Sequence, residues 1–172
     1  MKKLITIKQL QQELQQLKDS FDADQTKPFD FTEKKSFKYI IFYIGKEQFA
    51  WPLHNLREII IDQTIVPIPG KCMTLSGVFN YRNRVLPVIN IHYYLGASIS
   101  EIKSINILMV TKGLAFEASI PVDQLISLIS ITEKEIKPKP LTLKGDTASF
   151  IKGEILLENQ LISILNPKSF IV

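Results

Sequence analysis

Two kinds of apolar spacing run along the chain, and the change comes near residue 37. Ahead of it, Ile7, Leu10, Leu14, Leu17 and Phe21 recur at spacings of three and four with Gln, Glu and Lys between them. That is the stripe of an amphipathic helix over residues 1–22. Two heptads are too few for a self-sufficient coiled coil, so the stripe is expected to dock on its own domain rather than on a second copy. Residues 23–36 are polar with one proline and read as a linker. From Phe37 onward the apolar runs become short and β-rich. "FKYIIFYIGKEQFAWPL" predicts a hairpin turning at Gly45-Lys46, and "LSGVFN" with "RVLPVINI" predicts a second. Between them, Leu53, Leu56, Ile59 and Ile60 after Pro52 have helical spacing. Pro67 and Pro69 then impose an extended segment.

The same order of features is written twice. "ILMVTKGLAFEASI" predicts a hairpin, and Pro121 opens a second helical spacing at Val122, Leu125, Leu128 and Ile129. "EIKPKP" repeats the extended segment, and "FIKGEILLENQLISILN" repeats the second hairpin. Pro52, Pro67, Gly77 and Asn90 recur in order as Pro121, Pro138, Gly153 and Asn166. Each copy of about 65 residues would carry about five strands, the size of a small closed barrel. Units that small are marginal alone, so two barrels packed on a shared apolar seam are expected over residues 37–172.

Composition narrows the function. Hydrophobic residues make up 45% of the 172, enough for a core. The net charge of +4 is spread along the chain, with seven Lys against six acidic residues in 1–36. A nucleic-acid binder concentrates its positive charge, so a small-barrel nucleic-acid-binding protein is the second reading. Cys72 is the single cysteine and suits a reducing compartment. The N-terminus lacks the apolar core of a signal peptide, and no apolar run has membrane-span length. The expectation is a cytoplasmic protein without direct membrane insertion. His54 and His92 have no partner at metal-ligand spacing, and no phosphate loop or nucleophile motif occurs. Neither a catalytic residue, a metal nor a cofactor is expected. Trp51 is read as core, and Asp123 as support for a first helical turn.

The blocks "FYIGKEQFAWPLHNLREIIIDQTIVPIPG", "GVFNYRNRVLPVINIHYYLG", "PVDQLISLISITEKEIKPKP" and "FIKGEILLENQLISILN" together resemble the CheW family of bacterial chemotaxis adaptors. The family motif Asn-Leu-Arg-Gly stands here as Asn80-Tyr81-Arg82-Asn83, followed by an apolar run with Pro87. The resemblance implies two five-stranded SH3-like barrels without catalytic activity. It also implies two partners, the cytoplasmic tip of chemoreceptors and the regulatory domain of a CheA-type histidine kinase, with recruitment to membrane-associated receptor arrays. It carries the receptor-facing role to Leu56 and Glu58 on the first short helix, to Gly77 and Arg82 on the hairpin, and to Leu125 and Leu128 on the second short helix. The leucines would line a groove between the barrels. Three positions depart from the family pattern: Asn83 and Ser119 replace glycines, and Asn90 replaces an aspartate. Asn tolerates the left-handed backbone best after Gly, so the turn at Asn83 should survive. The resemblance brings Glu58 close to Arg82, and a part-buried ion pair between them is expected.

Overall fold

The computed structural model describes residues 8–9, 11–12, 15–16, 36–70, 72–96, 107–112, 117–140 and 147–170. Lys8, Gln9, Gln11, Gln12, Gln15 and Gln16 are helical. The five residues of the expected apolar stripe, and the linker up to residue 35, lie outside the described residues.

The domain is mainly β. Eleven strands occur among the described residues: β1 (Ser36–Ile44), β2 (Glu47–Pro52), β3 (Leu56–Ile61), β4 (Leu75–Tyr81), β5 (Arg84–Ile89), β6 (Ile107–Thr111), β7 (Ala118–Val122), β8 (Gln124–Thr132), β9 (Lys137–Pro138), β10 (Ile151–Leu157) and β11 (Gln160–Leu165). Two short helices, α1 (Ile91–Leu95) and α2 (Thr147–Phe150), precede or follow hairpins. The strands form a six-stranded sheet ordered β8-β1-β2-β11-β10-β9 and a five-stranded sheet ordered β3-β6-β7-β5-β4.

The repeat is visible in the backbone. β4–β5 and β10–β11 are antiparallel hairpins whose registers slip at Gly77 and Gly153. Their turns place Arg82 and Asn83 at φ 50° and 63°, and Glu158 and Asn159 at 47° and 63°. Both central residues of such a two-residue turn need positive φ, so Asn83 keeps the left-handed turn as expected. Asn90 and Asn166 follow the two hairpins, and each side chain accepts a backbone N–H, from Tyr93 and Lys168. The space occupied by a copy differs from the expectation, however. Each sheet takes the first hairpin of one copy and the later strands of the other: β1 and β2 join β8 to β11, while β6 and β7 join β3 to β5. The copies are interleaved rather than folded side by side, and the sheets hold six and five strands rather than five each.

The two expected short helices are strands. After a three-residue turn, Leu53–Asn55, the chain pairs as β3 with β6. Pro121 to Thr132 supplies the end of β7 and all of β8, which pairs with β1. The cause is a bulge in each. The β3 register slips between Leu56 and Glu58, and the β8 register skips Ile126 where Phe42 meets Leu125. An extra residue reverses which face the strand presents. Leu56 and Ile59, and likewise Leu125 and Leu128, therefore point to the same apolar cluster despite a spacing of three. Asp123 supports no helix; its carboxylate instead accepts the N–H of Gly45 at 2.5 Å, fixing the β1–β2 turn.

The core has three parts. A central cluster between the sheets contains Ile40, Phe42, Trp51, Leu56, Ile59, Met109, Ile120 and Leu125, closed at one side by the aromatic group Tyr94, Phe150 and Phe170. Trp51 is fully buried 5.8 Å from Phe170, as expected for a core residue. A second cluster around Tyr39, Ile41, Ile155 and Ile164 lies on the other face of the six-stranded sheet. A third, with Phe79, Tyr81, Leu86, Leu108 and Val110, lies on the other face of the five-stranded sheet.

Gly77 is set by close approach. A Cβ there would meet the Val66 carbonyl oxygen at 2.5 Å and Ile65 Cγ2 at 2.6 Å, whereas a Cβ on Gly45 would meet nothing within 4 Å. Gly77→Ala should therefore lower the urea midpoint more than Gly45→Ala, which carries only the backbone strain of positive φ, about 1–2 kcal/mol. Equal losses in urea denaturation would show that the Val66 segment yields freely.

Candidate functional site

The β4–β5 tip meets β3 at the rim of the five-stranded sheet. These are the two edge strands of that sheet, and side chains rather than a ladder join them here. Glu58 projects from β3 beyond its bulge. Its Oε2 accepts two hydrogen bonds, from the Tyr81 hydroxyl at 2.6 Å and from Arg82 Nη2 at 2.9 Å. The expected Glu58–Arg82 ion pair is present, but it is more exposed than expected: the Arg82 side chain is 71% accessible and that of Glu58 37%. An ion pair in that setting contributes about 0–1 kcal/mol.

Tyr81 is the firmer half of the contact. Its ring is buried in the third cluster beside Phe79, 6.2 Å between centroids. The guanidinium groups of Arg82 and Arg84 lie 5.3 and 5.8 Å from that ring's centre. Burial, then the hydrogen bond and charge of Glu58, push the Tyr81 phenol above its ordinary pKa. A second carboxylate continues the arrangement. Glu117, just ahead of β7, pairs with Arg57 at 2.7 Å and with Arg84 at 2.9 Å. Signs therefore alternate across the rim, from Arg82 to Glu58 and from Arg84 through Glu117 to Arg57.

The other sequence-predicted positions divide clearly. Leu56 is fully buried and Leu125 is 5% accessible, and both belong to the central cluster between the sheets. Leu128 is partly buried against the same cluster. Gly77 is buried at the β4 slip. Asn80 is exposed on β4, and Asn83 completes the turn. Pro87 lies in β5 opposite Val78, and its carbonyl accepts the hydroxyl of buried Ser119 at 3.2 Å. Tyr81, Arg57, Arg84 and Glu117 were missed. Alternation along "NYRNR" marks Tyr81 as inward-facing, but nothing local marks its hydroxyl as the partner of Glu58. Among the described residues no cluster of three or more His, Cys, Asp or Glu could hold a metal ion, and no helix is long and apolar enough to cross a membrane.

A family model for the CheW-like domain matches residues 38–172. The chain belongs to the CheW-like domain family. The chemotaxis protein CheW of Thermotoga maritima is 29% identical over 132 residues, covering 77% of this chain and 85% of that protein. The chemotaxis protein CheW of Helicobacter pylori is 26% identical over 159 residues, covering 91% and 96%. The crystal structure of the scaffolding protein TtCheW from Thermoanaerobacter tengcongensis has the same fold, with a TM-score of 0.70 at 20% identity over 79% of this chain and 92% of that one.

The Tyr81–Glu58 bond predicts an ordering of mutants. A hydrogen bond to a charged group is worth about 1.5–3 kcal/mol, against about 0–1 for the exposed pair. Tyr81→Phe should therefore cost more stability than Arg82→Ala in urea denaturation. The raised phenol pKa also sets a pH window. The folded state holds the Tyr81 proton more tightly than the unfolded chain does. Its contribution is thus whole below about pH 10 and is lost as the pH climbs through the folded pKa. Tyr81→Phe should blunt the alkaline loss of stability, and a mutant curve parallel to wild type above that pH would contradict it.

Proposed function

We propose that this chain is a non-catalytic scaffold of chemotaxis signal transduction that couples chemoreceptors to a CheA-type histidine kinase. The observation that carries the reading is the family match across the whole β domain, residues 38–172. The names of the relatives agree with it: two are chemotaxis proteins and the structural neighbour is a scaffolding protein. Each sheet is read as wrapped into an SH3-like barrel, because each keeps an apolar cluster on the face turned away from the other sheet. A sheet left open would expose that cluster to water. The protein works in the cytoplasm, recruited to membrane-associated receptor arrays. The dispersed charge supports protein partners rather than nucleic acid.

The receptor-facing surface is assigned to the rim built on Glu58 and Arg82, with Asn80 and Asn83 beside them. Leu56, Leu125 and Leu128 contribute through the central cluster, and Gly77 through the β4 register slip. Arg is favoured at such sites because its planar donors can bind two acceptors at once. In this rim Arg82 makes one bond to Glu58 and remains mostly accessible, which leaves donors for a partner carboxylate or carbonyl. The kinase regulatory domain is assigned to a different face.

The reading is tested by capture from the source cell with the tagged full chain, asking whether a CheA-type kinase is retained. Arg82→Glu should weaken binding of a chemoreceptor cytoplasmic fragment about tenfold, the equivalent of 1.4 kcal/mol, while leaving kinase binding and the urea midpoint nearly unchanged. Combining it with Glu58→Arg should restore the ion pair, and isothermal titration decides whether binding returns with it. Two silent single mutants in every assay would make Arg82 an ordinary solvated turn residue.

A further inference from the structure

The two edges of the five-stranded sheet are finished differently. At β4, Val78 exchanges two backbone hydrogen bonds of 2.8 Å with Val66, so the extended segment covers that edge. At β3 the contact comes from far away in sequence. Gln11 Nε2 donates to the Ile59 carbonyl at 2.9 Å, across 48 residues. Ile59 is the residue next to Glu58.

The helical residues around Gln11 have a clear inner side. Gln11 is half-buried, whereas Lys8, Gln9, Gln12, Gln15 and Gln16 are exposed. At 3.6 residues per turn, position 11 neighbours positions 7 and 14, four before and three after. Those positions are Ile7 and Leu14 of the apolar stripe in the sequence. Gln9, Gln12 and Gln16 fall on the opposite side of the same helical wheel. The one half-buried residue thus flanks the stripe. An edge strand presents backbone groups that its own sheet does not pair, and these invite an occupant.

We infer that the N-terminal helical segment around Gln11 occupies the β3 edge of its own domain and competes there with the receptor for the rim around Glu58. The inference rests on the reading of that rim as receptor-facing. Being tethered, the helix acts at an effective concentration on the order of millimolar, against which a receptor in trans must compete.

The test uses the full chain with Cys72→Ser. A spin label on Gln12→Cys should broaden the amide resonances of Glu58 to Ile61 and spare those of Glu158 and Asn159 in the other sheet. Broadening that arises only when labelled protein is mixed with separately isotope-enriched protein would place the helix on a second copy and overturn the inference, as would no broadening at β3. Leu10→Asp with Leu14→Asp should abolish the broadening. The same variant should bind a chemoreceptor cytoplasmic fragment from the same genome about tenfold more tightly, the factor expected if nine molecules in ten hold the helix docked. Gln11→Ala, a milder change, should fall between. Equal affinity of wild type and variant defeats the competition while leaving the receptor reading intact. A fragment that binds neither defeats the receptor reading and the competition together, and the broadening then reports docking alone.

Discussion

Burial of single strands on both faces is the constraint on which the rest of this structure depends. Tyr39, Ile40, Ile41 and Phe42 are consecutive in β1, and all are at most 2% accessible. Alternate members serve different clusters: Ile40 and Phe42 the central one, Tyr39 and Ile41 the outer one. β6 repeats the arrangement, with Met109 in the centre and Leu108 and Val110 outside. Covering a side chain of this size contributes about 1.5–3 kcal/mol, so each two-faced strand serves two clusters at once. The interleaving of the repeat follows naturally. β1 is central in a sheet with β8 from the second copy, and β6 is central in a sheet with β3 from the first. Neither copy could pull away without exposing both faces of a central strand.

The bulges decide which side chains each strand turns to which face. In β3 the slip at Arg57 turns Leu56 and Ile59 to the central core, and it turns Glu58 to the side of the third cluster, where Tyr81 lies. In a regular strand with Arg57 paired in the ladder, Leu56 and Glu58 would share a face, and one of them would be misplaced. The equivalent slip in β8 turns Leu125 and Leu128 inward. Here the pattern in the sequence misled for a definable reason. A spacing of three with buried ends is the signature of a helix, and a bulged strand produces it as well. The run Ile59-Ile60-Ile61 was the available counter-signal, since β-branched side chains suit a strand.

Local features were otherwise readable. Both β-hairpins with polar tips, the turn at Gly45, the left-handed Asn83 and the doubled layout followed from turn chemistry and alternation, which depend on neighbours in sequence. Interleaving did not, because it concerns which distant strands pair, and an apolar run does not name its partner. At the site the same division holds. Glu58 and Arg82 were reached through a family motif. Glu117 was not, because a lone carboxylate within a predicted hairpin reads as solvated until Arg57 and Arg84 are seen beside it.

The two hairpin tips show how a symmetric framework becomes an asymmetric module. Positions 82 and 158 are equivalent, with nearly the same φ, yet one is Arg and the other Glu. Position 80 is an exposed Asn where position 156 is an exposed Leu. Backbone demands are met in both copies by the same residue types, the glycine at each register slip and the asparagine after each hairpin. Charge and polarity at the tips were free to differ because those side chains face water and hold little of the fold. Only the first tip can pair with a Glu58-like carboxylate; the second would repel one. A protein that joins two unlike partners needs two surfaces of unlike chemistry held at a fixed distance. On the proposed reading, a duplicated, interleaved pair of sheets would supply the fixed distance, and divergence at the tips would supply part of the difference.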